Sequence, residues 1–113
     1  MRVTFYETAS GRRPVEEYLR GPERPERARV AEALQNIERF GFETHGMQFR
    51  QVKGKLWEIR IRTAEAHRVF YVMASREEMV LLHAYHKKTQ KAPSWEIETA
   101  ERRMKEVLHG GRD

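Results

Sequence analysis

The sequence predicts an α+β protein with the element order β-α-α-β-β-β-β-α and a mainly antiparallel sheet packed against helices. Apolar residues recur at helical spacing in three segments, and they alternate or run continuously over short stretches elsewhere. Four strand-like segments follow one another at hairpin spacing, which favours antiparallel pairing. The chain has 113 residues, so we expect a single domain over 1–113, with 109–113 as a frayed tail.

The first half of the chain is predicted to hold one strand and two helices. Residues 2–6 alternate as a short strand does. Each helix begins near a proline and ends at a glycine, one over 14–21 and the other over 25–41. The second helix carries a predicted buried stripe: Val30, Leu34 and Ile37.

Four strands and a last helix are predicted in the second half. The strands cover residues 48–52, 56–63, 66–74 and 79–87, and a helix follows from Pro93. The strand at 66–74 is apolar on both faces from its fourth residue, as a central strand is. In the strand at 56–63 one face is apolar, and we expect it to pack on the stripe of the second helix; its residues are Trp57, Ile59 and Ile61.

Positive charge is concentrated in one region of the chain. The net charge is +5, and residues 48–91 contain ten basic and four acidic side chains, which gives that region +6. Such a field favours polyanionic partners. Arginine supplies 16 of the 22 basic residues, which suits bidentate contact with phosphate or carboxylate. The alternative is a basic surface that serves solubility alone.

Several function classes are disfavoured by what the sequence lacks. There is no cysteine, no apolar run of about 20 residues and no signal-peptide pattern, so we expect a cytoplasmic protein with no membrane association. His83 and His86 are three positions apart on a strand and point to opposite faces, so the sequence predicts no metal and no cofactor. A sequence-specific DNA-binding module is disfavoured because the two candidate helices are charge-balanced or slightly acidic, so neither is a basic recognition helix.

Several separated motifs resemble one toxin family. The segments GKLWEIR, HRVFYV, LLHAYHKKTQKAP and EIETAERRM stand in the order found in the phage-derived branch of the HigB toxins, within the RelE/ParE superfamily of toxin–antitoxin systems. The resemblance covers roughly residues 54–104. It implies a compact antiparallel sheet with helices against it, ribonuclease activity on ribosome-bound messenger RNA, and an antitoxin partner with a helix-turn-helix domain.

The residue types present are sufficient for RNA cleavage without a metal. A neighbouring 2′-hydroxyl can attack the phosphorus if the protein takes its proton, stabilises a dianionic phosphorane and protonates the leaving 5′-oxygen. Arginine, lysine, histidine and tyrosine supply these functions. The predicted catalytic residues are Arg68, His86, Lys87, Arg60 and Tyr85. The predicted RNA-binding residues are Lys53, Lys55, Arg62, Lys88 and Lys91.

Alternatives remain open for these residues. Arg68 lies in an apolar strand, so it must meet a structural acid such as Glu58 or open onto a phosphate; the resemblance implies phosphate contact at this position. His83 is predicted to be a hydrogen-bonded core histidine. The basic strand end can also bind phosphate without acting on it. A member of the superfamily can instead act by binding alone, as the ParE inhibitors of DNA gyrase do.

Overall fold

The computed structural model describes residues 1–21, 24–86 and 93–110. The element order of the sequence prediction is confirmed, with one short 3₁₀ helix added after the second helix. The elements are β1 (Arg2–Phe5), α1 (Pro14–Leu19), α2 (Arg24–Phe40), the 3₁₀ helix (Gly41–Glu43), β2 (Met47–Lys53), β3 (Leu56–Arg62), β4 (Ala66–Ser75), β5 (Glu78–His86) and α3 (Ser94–His109). Helix α3 thus includes the first residue of the predicted tail, and residues 111–113 lie outside the described residues.

One five-stranded sheet has the strand order β1-β5-β4-β3-β2. The strands from β2 to β5 pair antiparallel with their neighbours along the chain, and β1 joins the edge of β5 in parallel. The predicted mainly antiparallel sheet is therefore confirmed, as is the central position of β4. The β2–β3 turn uses Gly54 at φ +57°, where a side chain would be strained.

Helices α1 and α2 cover one face of the sheet. This core contains the predicted stripe of α2 against the apolar residues of β3, and Trp57 packs at its margin. The predicted contact between these two elements is confirmed. The buried members are Val15, Val30, Leu34, Ile37, Ile59, Ile61, Val69, Tyr71, Met79 and Leu81.

Helix α3 covers the second face of the sheet, which is the face that carries the polar residues of β3. A second core forms there from Tyr6, Leu56, Phe70, Val72, Val80, Leu82, Tyr85 and Ala100. The sequence predicts that these polar residues point away from the helices that cover Trp57, and that is correct. One of them, Glu58, is nevertheless buried on the face that α3 covers, whereas Arg60 is partly exposed and Arg62 is exposed.

Candidate active site

Three of the predicted catalytic residues form a row across the sheet. Arg60 of β3 lies opposite Arg68 of β4, and Arg68 lies opposite Tyr85 of β5. Residues directly opposite on neighbouring strands have Cβ atoms about 4.5–5.5 Å apart, and their side chains point to the same face. The strand register therefore brings two guanidinium groups and one phenol together on the face that α3 covers.

Glu58 holds both arginines of this row. Its two carboxylate oxygens accept from Nη1 of Arg68 at 3.1 and 3.0 Å, and one of them also accepts from Nε of Arg60 at 3.0 Å. The side chains of Glu58 and Arg68 are 7% and 10% exposed, whereas Arg60 is 31% exposed. Arg60 is therefore more exposed to solvent than Arg68, which is more deeply buried.

The hydroxyl of Tyr85 has no hydrogen-bond partner among the described residues, although it is buried. Burial raises the pKa of Tyr85 to about 12, so the phenol keeps its proton at neutral pH. Most buried polar atoms in proteins are hydrogen-bonded, and an exception calls for an explanation. A buried phenol beside two guanidinium groups is a group that can donate a proton to an anionic ligand.

His83 lies next to this row on the same face and is hydrogen-bonded, as predicted. Its Nε2 contacts the carboxylate of Glu96, and Nη1 of Arg103 lies 3.3 Å from its Nδ1. Since a guanidinium can only donate, Nδ1 accepts, and the ring is the neutral tautomer with its proton on Nε2. Burial lowers the pKa of His83, which agrees with this tautomer, although the contact with Glu96 acts in the opposite direction.

An aromatic side chain is exposed at the start of α3, next to the same face. Trp95 is 59% exposed, and its ring lies 6.3 Å from that of His83 in a T-shaped arrangement. His83, Phe70 and Tyr85 are themselves stacked beneath it. An exposed indole at the margin of a cationic site is suited to stacking on a nucleobase.

His86 lies on the opposite face of the sheet from Arg68. Its ring is 5.6 Å from that of His67, and its Nε2 is 3.3 Å from the carboxylate of Glu65. Beyond the irregularity opposite Phe70 and Tyr71, the alternation of β5 continues from His83 to His86, and the strand does not turn His86 toward Tyr85. The structure therefore brings Arg60, Arg68 and Tyr85 together and places His86 elsewhere.

The predicted RNA-binding residues are only partly within the described chain. Nζ of Lys53 forms a salt bridge of 3.1 Å with Glu101 of α3. Lys55 and Arg62 are exposed, the first in the β2–β3 turn and the second at the end of β3. The remaining two of these residues, Lys88 and Lys91, lie outside the described residues, as does the predicted catalytic residue Lys87.

One family model matches this chain. Its description is phage derived protein Gp49-like (DUF891), and it matches residues 17–105. This range includes Arg60, Arg68 and Tyr85. The chain belongs to the Gp49-like family. This family is of the RelE/HigB toxin type, and the five-stranded sheet with its three helices is compatible with a RelE-like fold. A comparison with curated proteins found no match.

Membership in the Gp49-like family implies an antitoxin partner for this chain. Within the part of the chain that the structure describes, no helix is both long and apolar enough to cross a membrane.

The role of Glu58 in joining two arginines is a feature that the sequence indicated only in part. Alternation along β3 places Glu58 and Arg60 on one face, and the sequence suggested Glu58 as a partner for Arg68. The double contact depends on the register of β3 and β4, in which Arg60 faces Arg68 and Glu58 is diagonal to it. That register is set by the three-residue connection over residues 63–65. The length of this connection is the feature of the sequence that could have predicted the register.

Proposed function

We propose that this chain is the HigB-like toxin of a type II toxin–antitoxin pair and an endoribonuclease that cleaves messenger RNA, on the ribosome, by attack of the 2′-hydroxyl on the adjacent phosphate. The row of Arg60, Arg68 and Tyr85 carries this proposal, and membership in a toxin family supports it. In this proposal the protein acts in the cytoplasm, and a helix-turn-helix antitoxin neutralises it.

The two arginines supply charge stabilisation in this mechanism. Glu58 occupies Nη1 of Arg68 and Nε of Arg60, and it thereby fixes the orientation of both guanidinium planes. A guanidinium has five N–H donors, so the remaining donors can contact phosphate oxygens. Because Arg60 is the more exposed of the two, the phosphate meets Arg60 first. Arg68 then strengthens its contact as negative charge develops in the phosphorane.

Tyr85 supplies the proton for the leaving 5′-oxygen. Its raised pKa makes it a poor base but leaves it fully protonated near neutral pH, and its hydroxyl has no competing acceptor among the described residues. As the 5′-oxygen departs it becomes strongly basic, and transfer of the phenolic proton is then favourable. The neighbouring Arg68 stabilises the phenolate that forms, since a nearby positive charge favours the charged form of the phenol.

The base that takes the proton of the 2′-hydroxyl lies outside the three-residue row. The sequence predicts His86 as a general acid or base and Lys87 as a further catalytic residue, and β5 directs His86 to the other face. Alternation along the sequence predicts Lys87 on the same face as Tyr85. We therefore place Lys87 in this role and exclude His86 from it.

The proposal is tested by comparing three variants with the wild type in growth arrest and in cleavage of messenger RNA on ribosomes. Arg60→Ala and Tyr85→Phe each lose cleavage by at least ~10²-fold, because each removes a group that acts in the transition state. His86→Gln, the matched control at the end of the same strand, retains cleavage. Full cleavage by both Arg60→Ala and Tyr85→Phe would overturn the assignment of the site.

One observation favours a second candidate, in which the chain inhibits DNA gyrase by binding as ParE toxins do. Arg68 is nearly buried, and two oxygens of Glu58 already contact it, as in an ion pair that only stabilises a fold. In that case, substitutions of Arg60, Arg68 and Tyr85 would affect only the stability of the fold. Growth arrest with intact messenger RNA and inhibited supercoiling would then be the result.

A further inference from the structure

A cluster of three potential metal ligands lies on the face of the sheet opposite the arginine row. Glu26 of α2, Glu65 of the β3–β4 turn and His67 of β4 each direct one ligand atom toward a common point, and these atoms lie within 4.8 Å of one another. The Nε2 atom of His67 is 3.0 Å from a carboxylate oxygen of Glu26. Glu26 lies 39 and 41 positions before Glu65 and His67 in the sequence, so the fold brings α2 to the other two residues.

The imidazole of His67 is held rigidly and is almost completely buried. The hydroxyl of Tyr18 lies 2.6 Å from its Nδ1, and the two rings meet edge to face at 5.9 Å. His67 is 1% exposed. A partner on one ring nitrogen fixes the direction of the other, and metal-binding histidines are oriented in this way. Tyr18 therefore aims Nε2 of His67 at the two carboxylates.

Both carboxylates of the cluster are also oriented by neighbouring groups. The backbone N–H of Glu65 donates to Glu26 at 3.1 Å, which ties the β3–β4 turn to the first turn of α2. The carboxylate of Glu65 is 3.3 Å from Nε2 of His86. The cluster thus offers two carboxylate oxygens and one imidazole nitrogen.

We propose that Glu26, Glu65 and His67 form a binding site for one Zn²⁺ ion, with a water molecule as the fourth ligand. Zinc–nitrogen and zinc–oxygen bonds of about 2.0–2.2 Å place neighbouring ligand atoms about 3.3–3.5 Å apart. Nε2 of His67 and a carboxylate oxygen of Glu26 are 3.0 Å apart, which is close to this spacing, and the partly exposed side chain of Glu65 is free to rotate toward them. A mixed set of imidazole and carboxylates favours zinc over Mg²⁺, which is bound mainly by oxygen.

Tyr18 can hydrogen-bond to His67 with or without an ion. In the absence of an ion, Nε2 of His67 lies 3.0 Å from a carboxylate oxygen of Glu26. With zinc bound, Nε2 would be the ligand, and Nδ1 would donate its proton to the hydroxyl oxygen of Tyr18. A hydroxyl can both donate and accept, so Tyr18 can serve both states.

The proposed ion has a structural effect that is separate from RNA cleavage. It links the start of α2, the β3–β4 turn and β4, on the face opposite Arg68 and Tyr85. A ligand that binds only the folded state raises stability in proportion to the logarithm of its concentration. This inference goes beyond the proposed ribonuclease function, and neither depends on the other.

Isothermal titration of Zn²⁺ into the full chain, without an affinity tag and after treatment with a chelator, tests this site. We expect one Zn²⁺ per chain, a rise in Tm with zinc, and much weaker binding of Mg²⁺. Glu26→Gln and Glu65→Gln should each lower zinc affinity by more than tenfold, because each removes a ligand. His86→Gln, which removes only the support of Glu65, should cost about 10–100-fold or less.

The matched control is His45→Gln, an exposed histidine in the loop before β2 that should leave affinity unchanged. Glu65 is 41% exposed in its side chain, so Glu65→Gln should remain folded and interpretable even if variants of buried His67 do not. Absence of binding at one ion per chain would overturn the proposal. Unchanged zinc affinity in Glu65→Gln would also overturn it. So would a loss of zinc affinity in His45→Gln as large as that in Glu65→Gln.

Discussion

Tyr85 lies directly opposite Arg68 across β4 and β5, and its buried hydroxyl has no partner among the described residues, whereas Arg68 is held by Glu58. The two residues thus differ in what they contribute to the folded state. The guanidinium takes part in a buried ion pair. The hydroxyl has been desolvated without a compensating hydrogen bond, which lowers stability. A group kept at such a cost is a candidate for function.

Tyr85→Phe should therefore separate activity from stability. The change removes only the hydroxyl, and with it the proton donor, so cleavage should fall by ~10²–10⁴-fold. Because no described hydrogen bond is lost, Tm should stay constant or rise. RNA cleavage and thermal unfolding, measured on the same preparation, check both parts.

The matched control for this variant is Tyr71→Phe. Tyr71 is also buried, and burial raises its pKa to about 12, but it belongs to the core on the α1 and α2 side. It should retain full cleavage. Loss of activity in both variants would indicate that any change to a buried phenol disturbs the protein, and the special role of Tyr85 would be lost.

Breaking the Glu58–Arg68 pair should destabilise the fold. Arg68→Ala leaves a buried carboxylate with one of its two cations, and Glu58→Ala leaves a buried guanidinium; removing one member of a buried pair typically costs about 3–5 kcal/mol. The double variant should lose less than the sum of the single variants, because neither charge is then left alone. Urea unfolding of the four proteins gives the coupling free energy. Additive losses would contradict the contact.

The expected loss of stability in Arg68→Ala also complicates the interpretation of its activity, because an unfolded protein would lose cleavage for that reason alone. A folded protein must be shown by antitoxin binding and thermal unfolding before lost cleavage is attributed to catalysis. Arg60→Ala is the better test of charge stabilisation, because Arg60 is partly exposed and Glu58 keeps Arg68 as a partner.

Much of the fold follows from local patterns in the sequence, and less of the site does. Helical spacing in α2 and alternation in β3 predicted both elements and their mutual packing, since burial of each apolar face requires a partner. The alternation of side chains along β5 also predicted that His86 and Tyr85 point to opposite faces of the sheet. The burial of Glu58 was not predictable in this way, because it depends on α3 returning across the sheet. The approach of Glu26 to His67 depends likewise on a contact between distant segments.

The pH dependence of stability should carry a contribution from His83. The folded protein holds His83 neutral with a lowered pKa, whereas the unfolded chain protonates it near pH ~6.5. Below that value the unfolded state binds more protons, so the free energy of unfolding should decrease as pH falls from about 7.5 to about 5.5. Urea unfolding across this range measures the slope.

His83→Gln should flatten that slope, because glutamine does not titrate. The exposed His45→Gln is the matched control and should leave the slope unchanged. Glu26 also has a shifted pKa, but its contribution is lost only as pH falls below ~4.5, outside the measured range. A slope in His83→Gln equal to that of the wild type would contradict a neutral, partly buried His83.

RNA association should depend on salt through the lysines of the β2–β3 turn. Each contact with a single-strand phosphate contributes about 0.7 to the slope of log affinity against log salt. Lys55→Ala should lower the slope by about that amount, and Lys53→Ala should do the same while leaving Glu101 without its salt bridge. Filter binding at several salt concentrations measures this. Arg39→Ala, exposed at the end of α2, is the control of equal charge, and an equal effect there would argue against a localised RNA surface.

The most direct test of the proposed chemistry is cleavage, on ribosomes, of a messenger RNA that carries a single 2′-deoxynucleotide at the scissile position. The wild type should cleave the all-ribose RNA and leave a 2′,3′-cyclic phosphate, because the 2′-hydroxyl is the nucleophile. The deoxy-substituted RNA should bind and remain intact. Cleavage of that RNA, or a product that ends in a 3′-hydroxyl with a 5′-phosphate on the other fragment, would contradict the account.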